Sequence, residues 1–278
     1  MQPRDVSTVI CTKNSISGIQ RCLTSLREAG VGELIVVDAH STDGTREVAH
    51  QLADRVLEDP GTGLGQARNL GIAHTFGSLV LNMGSDNVMP AGQLDLMVGD
   101  LVEGGFHGVS ARTLIEGSNY VSQGLNAWRT GRFIPGPASV IGTPTLFLGD
   151  VLRNNPYDPN RVFSDDSELC ERWSREFDAK FAISSAYVTE IGKATWPEVR
   201  VRCRMYGISD AEVYRYGDQS GWTAKRKAVS LLHPLRSDLL LPLSRLDWGT
   251  RMMSGPFLAA FTAMRYRYWL TTAMQKIS

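Results

Sequence analysis

Asp38, Arg68, Asp86, Asp165 and Asp166 hold the chemistry that this sequence offers. Asp38 closes the apolar run Leu34 to Asp38. Asp86 stands in Gly84-Ser85-Asp86-Asn87, just past the apolar run Leu79 to Met83. Arg68 follows the glycine-rich loop Gly61 to Gly65 as a helical stretch begins. Asp165 and Asp166 are neighbours where another helical pattern starts, with Glu168 close behind. A carboxylate at a strand end can accept a hydrogen bond from a base or ribose donor. A cation just inside a helix, beside free backbone N–H groups, suits a diphosphate. Adjacent carboxylates raise one another's pKa, whereas a helix N-terminus favours their ionised form. Glu168 and Arg172 are spaced to pair along one helix face.

These side chains need elements that bring them together. Val6 to Cys11 and Leu34 to Asp38 are rich in β-branched residues and read as buried strands. Ile16 to Ala29 has the apolar spacing of a helix through Ile19, Leu23 and Leu26, with Ser15 or Ser17 as its cap. Ser41 to Thr45 is a turn into a helix that runs through Leu52, Arg55 to Glu58 a short strand, Gln66 to Phe76 a helix, and Leu79 to Met83 a strand. Strands alternating with helices predict a parallel sheet with right-handed crossovers. Such sheets bind ligands beyond the carboxyl ends of their strands, where Thr12, Asp38 and Asp86 all stand. After Pro90 the rhythm changes. Ala91 to Glu103 reads as a helix, His107 to Leu114 as a strand and Gly131 to Gly149 as loop with short strands. Phe163 to Trp173 reads as a helix capped by Ser164, with Asp165 and Asp166 in its first turn.

Composition excludes several classes. In 278 residues, 29 Lys and Arg balance 29 Asp and Glu, so no global field attracts nucleic acid. Cys11, Cys22, Cys170 and Cys203 form no CxxC pair, which points to reduced thiols and a cytoplasmic setting. No signal peptide and no spanning helix are expected. The histidines show no ligand spacing, and neither G-x-G-x-x-G nor a P-loop is present. Charge is uneven, however. From Trp222 to Ser278 nine Lys or Arg, Lys276 among them, face only Asp238 and Asp247, a net of +7. Phe257, Phe261, Tyr266, Tyr268 and Trp269 are interleaved with them. Such a segment either packs against its own protein or lies on an anionic membrane.

Four stretches in order resemble family 2 glycosyltransferases of the GT-A fold. They are Ser7-Thr8-Val9-Ile10-Cys11-Thr12-Lys13-Asn14, then Leu34-Ile35-Val36-Val37-Asp38 with Ser41-Thr42-Asp43-Gly44-Thr45, then Gly65-Gln66-Ala67-Arg68-Asn69-Leu70-Gly71. The fourth is Asn155-Pro156-Tyr157-Asp158 followed by Phe163-Ser164-Asp165-Asp166-Ser167-Glu168-Leu169. The resemblance implies an α/β, Rossmann-like GT-A fold: a mostly parallel central sheet flanked by helices, with a C-terminal helical extension. It implies a nucleotide-sugar-binding half at 1–90, an acceptor-binding half at 91–205 and a basic, aromatic helical tail at 206–278. Thr12, Asn14 and Asp38 would line the nucleoside pocket, Arg68 would meet the diphosphate, and Ser85 and Asp86 would complete the donor site. Asp86 would be the ligand of Mg²⁺ or Mn²⁺, with Asn87 as a further oxygen. The family's D-x-D here reads Gly84-Ser85-Asp86, so its first acid is missing.

Asp166 is the candidate general base, with Asp165 replacing the family's Glu beside it. Leu169 stands where processive members carry Gln, so processivity is not inferred from Arg172-Trp173. Tyr206-Gly207 resembles an R-Y-G stretch of membrane-associated relatives. Lys193 falls where a histidine often completes the metal site. The expected reaction moves a sugar from a UDP- or GDP-linked donor to an acceptor hydroxyl, on a glycan, a lipid-linked chain or another molecule, with inversion. A retaining transferase, a nucleotidyltransferase and a catalytically degenerate nucleotide-sugar-binding module stay open as alternatives. Peripheral membrane contact through 222–278 and a homodimer are further expectations.

Overall fold

The structure is a computed structural model and describes residues 1–159, 165–219 and 221–274. The expected helix start at Phe163, its cap Ser164 and the basic Lys276 lie outside the described residues. In chain order the first elements are β1 (Val6–Thr12), α1 (Ile16–Glu28), β2 (Glu33–Asp38), α2 (Thr45–Leu52), β3 (Arg55–Glu58), α3 (Leu64–Ala73), β4 (Leu79–Gly84) and β5 (Asn87–Val88). There follow α4 (Gln93–Glu103), β6 (Gly108–Ile115), α5 (Tyr120–Arg132), β7 (Gly136–Ala138), β8 (Thr145–Leu148), α6 (Gly149–Asn154), α7 (Asp165–Phe177) and β9 (Phe181–Glu190). The chain then runs through α8 (Trp196–Gln219), α9 (Ala224–Pro234), a π-helical segment (Leu235–Leu240), α10 (Leu241–Arg245) and α11 (Trp248–Met274). Two compact units result: Met1–Leu114 with Pro135–Ile191, and Ile115–Ile134 with Gly192–Ser278.

The first unit is built on one sheet of order β3-β2-β1-β4-β8-β6-β9-β5, with β7 paired to β9. Its first four strands are parallel, because α1, α2 and α3 supply the crossovers that parallel pairing needs. Beyond β4 the sheet is mixed. β8 runs antiparallel to β4 and β6, and β9 antiparallel to β5 and β7. The parallel part is thus confined to β3, β2, β1 and β4. The boundary expected at residue 90 falls between β5 and α4, inside this unit.

Helices cover both faces, which is why β1, β2 and β4 read as mostly apolar runs without a polar face. Val6, Ile10, Leu34 and Val36 meet Ile19, Leu23 and Leu26 of α1 and Leu94, Met97 and Leu101 of α4. The alternate residues Val9, Val37 and Val80 meet Ala67 and Ile72 of α3 and Leu169 and Trp173 of α7 on the other face. Gly71 lets α3 approach closely, since a Cβ there would lie 2.4 Å from Val9 Cγ1. Ser15 does occupy the N-cap position of α1, but its side chain makes no capping bond. The helix start is held from the neighbouring loop instead. Ser15 N donates to Thr45 Oγ1 at 2.8 Å and Ile16 N to Asp43 Oδ2 at 3.1 Å.

The second unit is helical. Leu125 and Trp128 of α5, Val199 and Cys203 of α8, and Phe257 and Phe261 of α11 form its core. Two glycines make the close contacts. A Cβ at Gly124 would lie 2.3 Å from Phe257 Cγ, and one at Gly207 2.7 Å from the Arg265 carbonyl oxygen. Phe257, Phe261 and Trp269 of the basic tail are buried, and Tyr266 Oη donates to the Leu231 carbonyl at 2.7 Å. Buried Asp238 accepts from Trp128 Nε1 at 3.0 Å, from Arg132 Nη1 and from Arg265 Nη1 at 2.7 Å. Arg265 also grips Asp210 with two bonds of 2.7 and 2.8 Å. Helix begins at Trp196, ten residues before the tail expected from the sequence. Among the described residues no helix is long and apolar enough to cross a membrane.

Candidate active site

Strand register decides which side chains meet. Thr12 pairs with Asp38 across β1 and β2, and Cys11 with Gly84 across β1 and β4. Three carboxyl ends are therefore level, and Thr12, Asp38 and the Ser85-Asp86 turn rise from one edge of the sheet. Asp38 is buried, and its Oδ2 accepts from Ser41 N at 3.0 Å. Asp38 Oδ1 and Thr12 Oγ1 are buried with no hydrogen-bond partner among the described residues. A buried carboxylate oxygen left unpaired costs on the order of 1–3 kcal/mol or more, so a ligand donor placed there is strongly favoured.

Asn14 shapes the rim. Its backbone is left-handed at φ 48°, its N–H donates to Ser41 Oγ at 2.8 Å, and its Oδ1 accepts from Thr42 N at 2.9 Å. It braces the loop after β1 to the loop after β2. Ser85 is buried, with its Oγ 3.0 Å from Ser15 Oγ. Half-buried Asp86 accepts from Asn87 Nδ2 at 2.7 Å through Oδ1, and its carbonyl accepts from Ile191 N at 2.7 Å. The Asn87 amide nitrogen is thus turned to Asp86.

No cluster of three or more His, Cys, Asp or Glu able to hold a metal occurs among the described residues. The oxygens of Asp86 and its neighbours are hard donors. Mg²⁺ and Mn²⁺ can be held by a single protein carboxylate with other oxygens and water completing the shell, so Asp86 would suffice as the carboxylate ligand of such a cation. Lys193, expected near a metal-site histidine, lies in the second unit. Its N–H donates to Glu198 Oε1 at 3.2 Å and its φ is 58°.

A second constellation involves α3 and α7. The Arg68 guanidinium is buried, pairs with Asp165 Oδ2, lies 3.4 Å from Asp166 Oδ1 and donates to Thr143 Oγ1 at 2.8 Å. It also stacks 5.1 Å from the centre of the Tyr157 ring. Burial opposes its charge, but Asp166 and Asp165 outweigh that and raise its pKa above the usual arginine value. Burial, reinforced by the charge of Asp165, pushes Asp166 above the ordinary aspartate range against the pull of Arg68. Asp166 Oδ1 accepts from Tyr157 Oη at 3.1 Å, and its Oδ2 lies 3.4 Å from Thr143 N. The sequence motifs put Arg68 with a donor and Asp166 with an acceptor; the structure brings the two together.

Tyr157, Thr143, Asn69 and Asn82 complete this constellation without having been singled out as site residues. Asn69 holds the Tyr157 backbone from both sides, donating to its carbonyl at 2.8 Å and accepting from its N–H at 3.0 Å. Asn82 Nδ2 donates to Tyr157 Oη at 3.2 Å from the middle of β4. A buried amide inside an apolar strand was the signal available for Asn82. Burial, then the Asp166 charge, raises the Tyr157 pKa well above the usual phenol value and keeps it a donor. Cys11 joins the two constellations. Burial pushes its thiol up to about 12, while Arg68 lowers it and Asp59 and Asp165 raise it. Arg68 and Asp165 therefore act within electrostatic reach of β1, one residue from Thr12.

The model of the family described as "Glycosyl transferase family 2" matches residues 7–149, half of the chain. The chain belongs to glycosyltransferase family 2. Among curated relatives, the family 2 chain is 31% identical to glycosyltransferase AglJ of Haloferax volcanii over 111 residues, 40% of this chain and 37% of that protein. It is 33% identical to an uncharacterized glycosyltransferase of Rickettsia felis over 81 residues, 29% of this chain and 28% of that protein. The matched stretches thus span about a third of these relatives. Among solved structures, the fold is similar to mannosyltransferase PcManGT from Pyrobaculum calidifontis in complex with GDP-Man and Mn²⁺, at TM-score 0.62 and 17% identity over 97% of this chain and 88% of that one. It is also similar to S. aureus TarS 1–349 in complex with UDP, at TM-score 0.53 and 15% identity over 98% and 90%. The fold of this family 2 chain is accordingly that of the GT-A glycosyltransferases.

Proposed function

We propose that this chain moves a glycosyl group from a nucleoside diphosphate sugar to an acceptor hydroxyl, with inversion at the anomeric carbon. The level ends of β1, β2 and β4, with two orphaned buried oxygens at Thr12 and Asp38, carry this reading. A nucleoside N–H or O–H donated to Asp38 Oδ1 supplies the bond that the folded chain lacks. The diphosphate lies toward Ser85 and Asp86. Asp86 would hold Mg²⁺ or Mn²⁺, which supplies positive charge against the leaving diphosphate when bound. Arg68 holds Asp165 and Asp166 through its guanidinium, and in this reading it is the cation that stands between those carboxylates and the diphosphate. UDP- and GDP-linked sugars are the expected donors, since the two neighbours above hold UDP and GDP-Man.

Asp166 takes the acceptor proton as the acceptor oxygen bonds to the anomeric carbon and the bond from that carbon to the diphosphate breaks. Its raised pKa makes it a better proton acceptor than a solvated aspartate, and among the described residues its Oδ2 makes only one long contact. The donor half is assigned to 1–90 and the acceptor half to 91–205. The test is a panel of UDP- and GDP-sugars with Mn²⁺, read by thermal stabilisation and by release of nucleoside diphosphate. A donor at a hundred times its dissociation constant stabilises the fold by about 2.7 kcal/mol. Asp166→Asn is expected to keep that stabilisation and lose transfer, and a chelator to abolish transfer. A panel without any stabilising donor overturns the reading, and a product with retained configuration by NMR overturns the single displacement.

A further inference from the structure

The aromatic residues of the basic tail are spent on packing, yet the tail carries another apolar surface. α9 divides lengthwise into two faces. Pro234 is buried and Leu231 half-buried, and the Leu231 carbonyl accepts from Tyr266 Oη. On the other face Lys225, Val229, Leu232, Arg236 and Leu240 follow at steps of four, three, four and four residues and are all exposed. Val229 and Leu232 are 56% exposed and Leu240 53%. A surface helix ordinarily turns polar side chains to water. Here three aliphatic side chains stand in water among cations.

The charge of this face is one-sided. Between Trp222 and Ser237 the sequence holds Lys225, Arg226, Lys227 and Arg236 and no Asp or Glu. Asp238, next along the chain, is fully buried and held by Arg132 and Arg265, so it offsets none of them at the surface. We propose that the outer face of α9 and of the π-helical segment lies in the plane of an anionic lipid surface, with Val229, Leu232 and Leu240 in the headgroup boundary and Lys225, Arg226 and Arg236 against the lipid phosphates. A second copy is a poor occupant, because a two-fold interface would set the same cations opposite one another. Among the described residues no helix is long and apolar enough to cross a bilayer. The lipid contact does not depend on the proposed glycosyl transfer.

Co-sedimentation of the full chain with 3:1 phosphatidylcholine/phosphatidylglycerol vesicles tests this. Binding is expected at 0.1 M salt, with strong loss at 0.5 M salt and on pure phosphatidylcholine. Each surface cation contributes about a fivefold factor, so the Lys225→Gln, Arg226→Gln, Arg236→Gln triple variant is expected to lose roughly hundredfold in partitioning. Val229→Glu with Leu232→Glu is expected to abolish binding while thermal melting and donor stabilisation stay as in the parent. Absence of binding to anionic vesicles overturns the proposal. So does equal binding to neutral vesicles, or undiminished binding by the Glu variant. A dimer in light scattering that the Glu variant dissolves assigns the face to a second copy and also overturns it. Loss of binding only on Met252→Ser with Met253→Ser moves the contact to α11 and does the same.

Discussion

Replacing Tyr157 by Phe removes one oxygen from a fully enclosed position and leaves two neighbours short of a partner. Tyr157 and Asn82 are both 1% exposed, so water does not replace the lost hydroxyl. Asn82 Nδ2 loses its 3.2 Å bond, and its Oδ1 already lacks a partner. Stranding that donor costs about 1–3 kcal/mol. In a chain of this size each kcal/mol corresponds to about 2–4 °C, so a fall in Tm of roughly 2–12 °C is expected. The second effect falls on Asp166, which loses the donor that helps hold its charge. A bond to a charged group is worth about 1.5 kcal/mol or more, which corresponds to about one pKa unit. The sign follows from the base role. Asp166 works when ionised, so activity falls as pH drops through its pKa, and a higher pKa moves that acid limb to higher pH. The assay is kcat/KM for nucleoside diphosphate release from pH 4 to 9, with Tm measured alongside. Adding Asn82→Leu removes the stranded amide and is expected to recover most of the Tm loss without returning the limb. An acid limb that stays in place while Tm falls removes Asp166 from its role. An unchanged Tm refutes the burial argument itself.

Three further outcomes follow from the same geometry. Asp38→Ala removes the orphaned oxygen and is expected to weaken nucleoside diphosphate binding at least tenfold by calorimetry, with the fold intact; unchanged affinity refutes the nucleoside assignment. Gly71→Ala places a methyl group 2.4 Å from Val9 and 3.1 Å from Val37 and forces α3 off the sheet. Overpacking of about 1–3 kcal/mol exceeds the gain of at most about 1 kcal/mol in helix propensity, so urea denaturation is expected to show a net loss. Half-buried Cys11, its thiol pushed up to about 12, is expected to react with iodoacetamide at pH 8.5 far more slowly in the folded than in the unfolded chain; equal labelling rates in mass spectrometry contradict the raised pKa.

The parallel strands were legible because helices cover both of their faces, leaving β1, β2 and β4 mostly apolar and rich in β-branched residues. β9 was not, since Ser184 and Ser185 interrupt its pattern where Ser184 Oγ and Ser185 N donate to Asp100 Oδ2. α5 escaped notice because Gly124 and Gly131 break its helical signal. They are there to admit Phe257 and Pro242, which lie more than a hundred residues away in the chain. The positions of Asp38, Arg68, Asp86 and Asp166 could be read from strand ends, a loop and a helix start. Their partnerships could not. Arg68 and Asp165 are 97 residues apart, and no local pattern signals a salt bridge across that distance. The tail showed the same limit. Its spacing announced helices, but only tertiary packing decided that Phe257, Phe261 and Trp269 turn inward while Val229, Leu232 and Leu240 face out.

The lacing of the loops after β1 and β2 has its own consequence. Asn14, Ser41, Thr42, Asp43 and Thr45 are already bound to one another or to backbone across the two loops. Their conformational freedom was surrendered when the chain folded, before any guest arrived. The two loops beside Asp38 are therefore preorganised, and a nucleoside docked there as proposed would forfeit little beyond its own mobility.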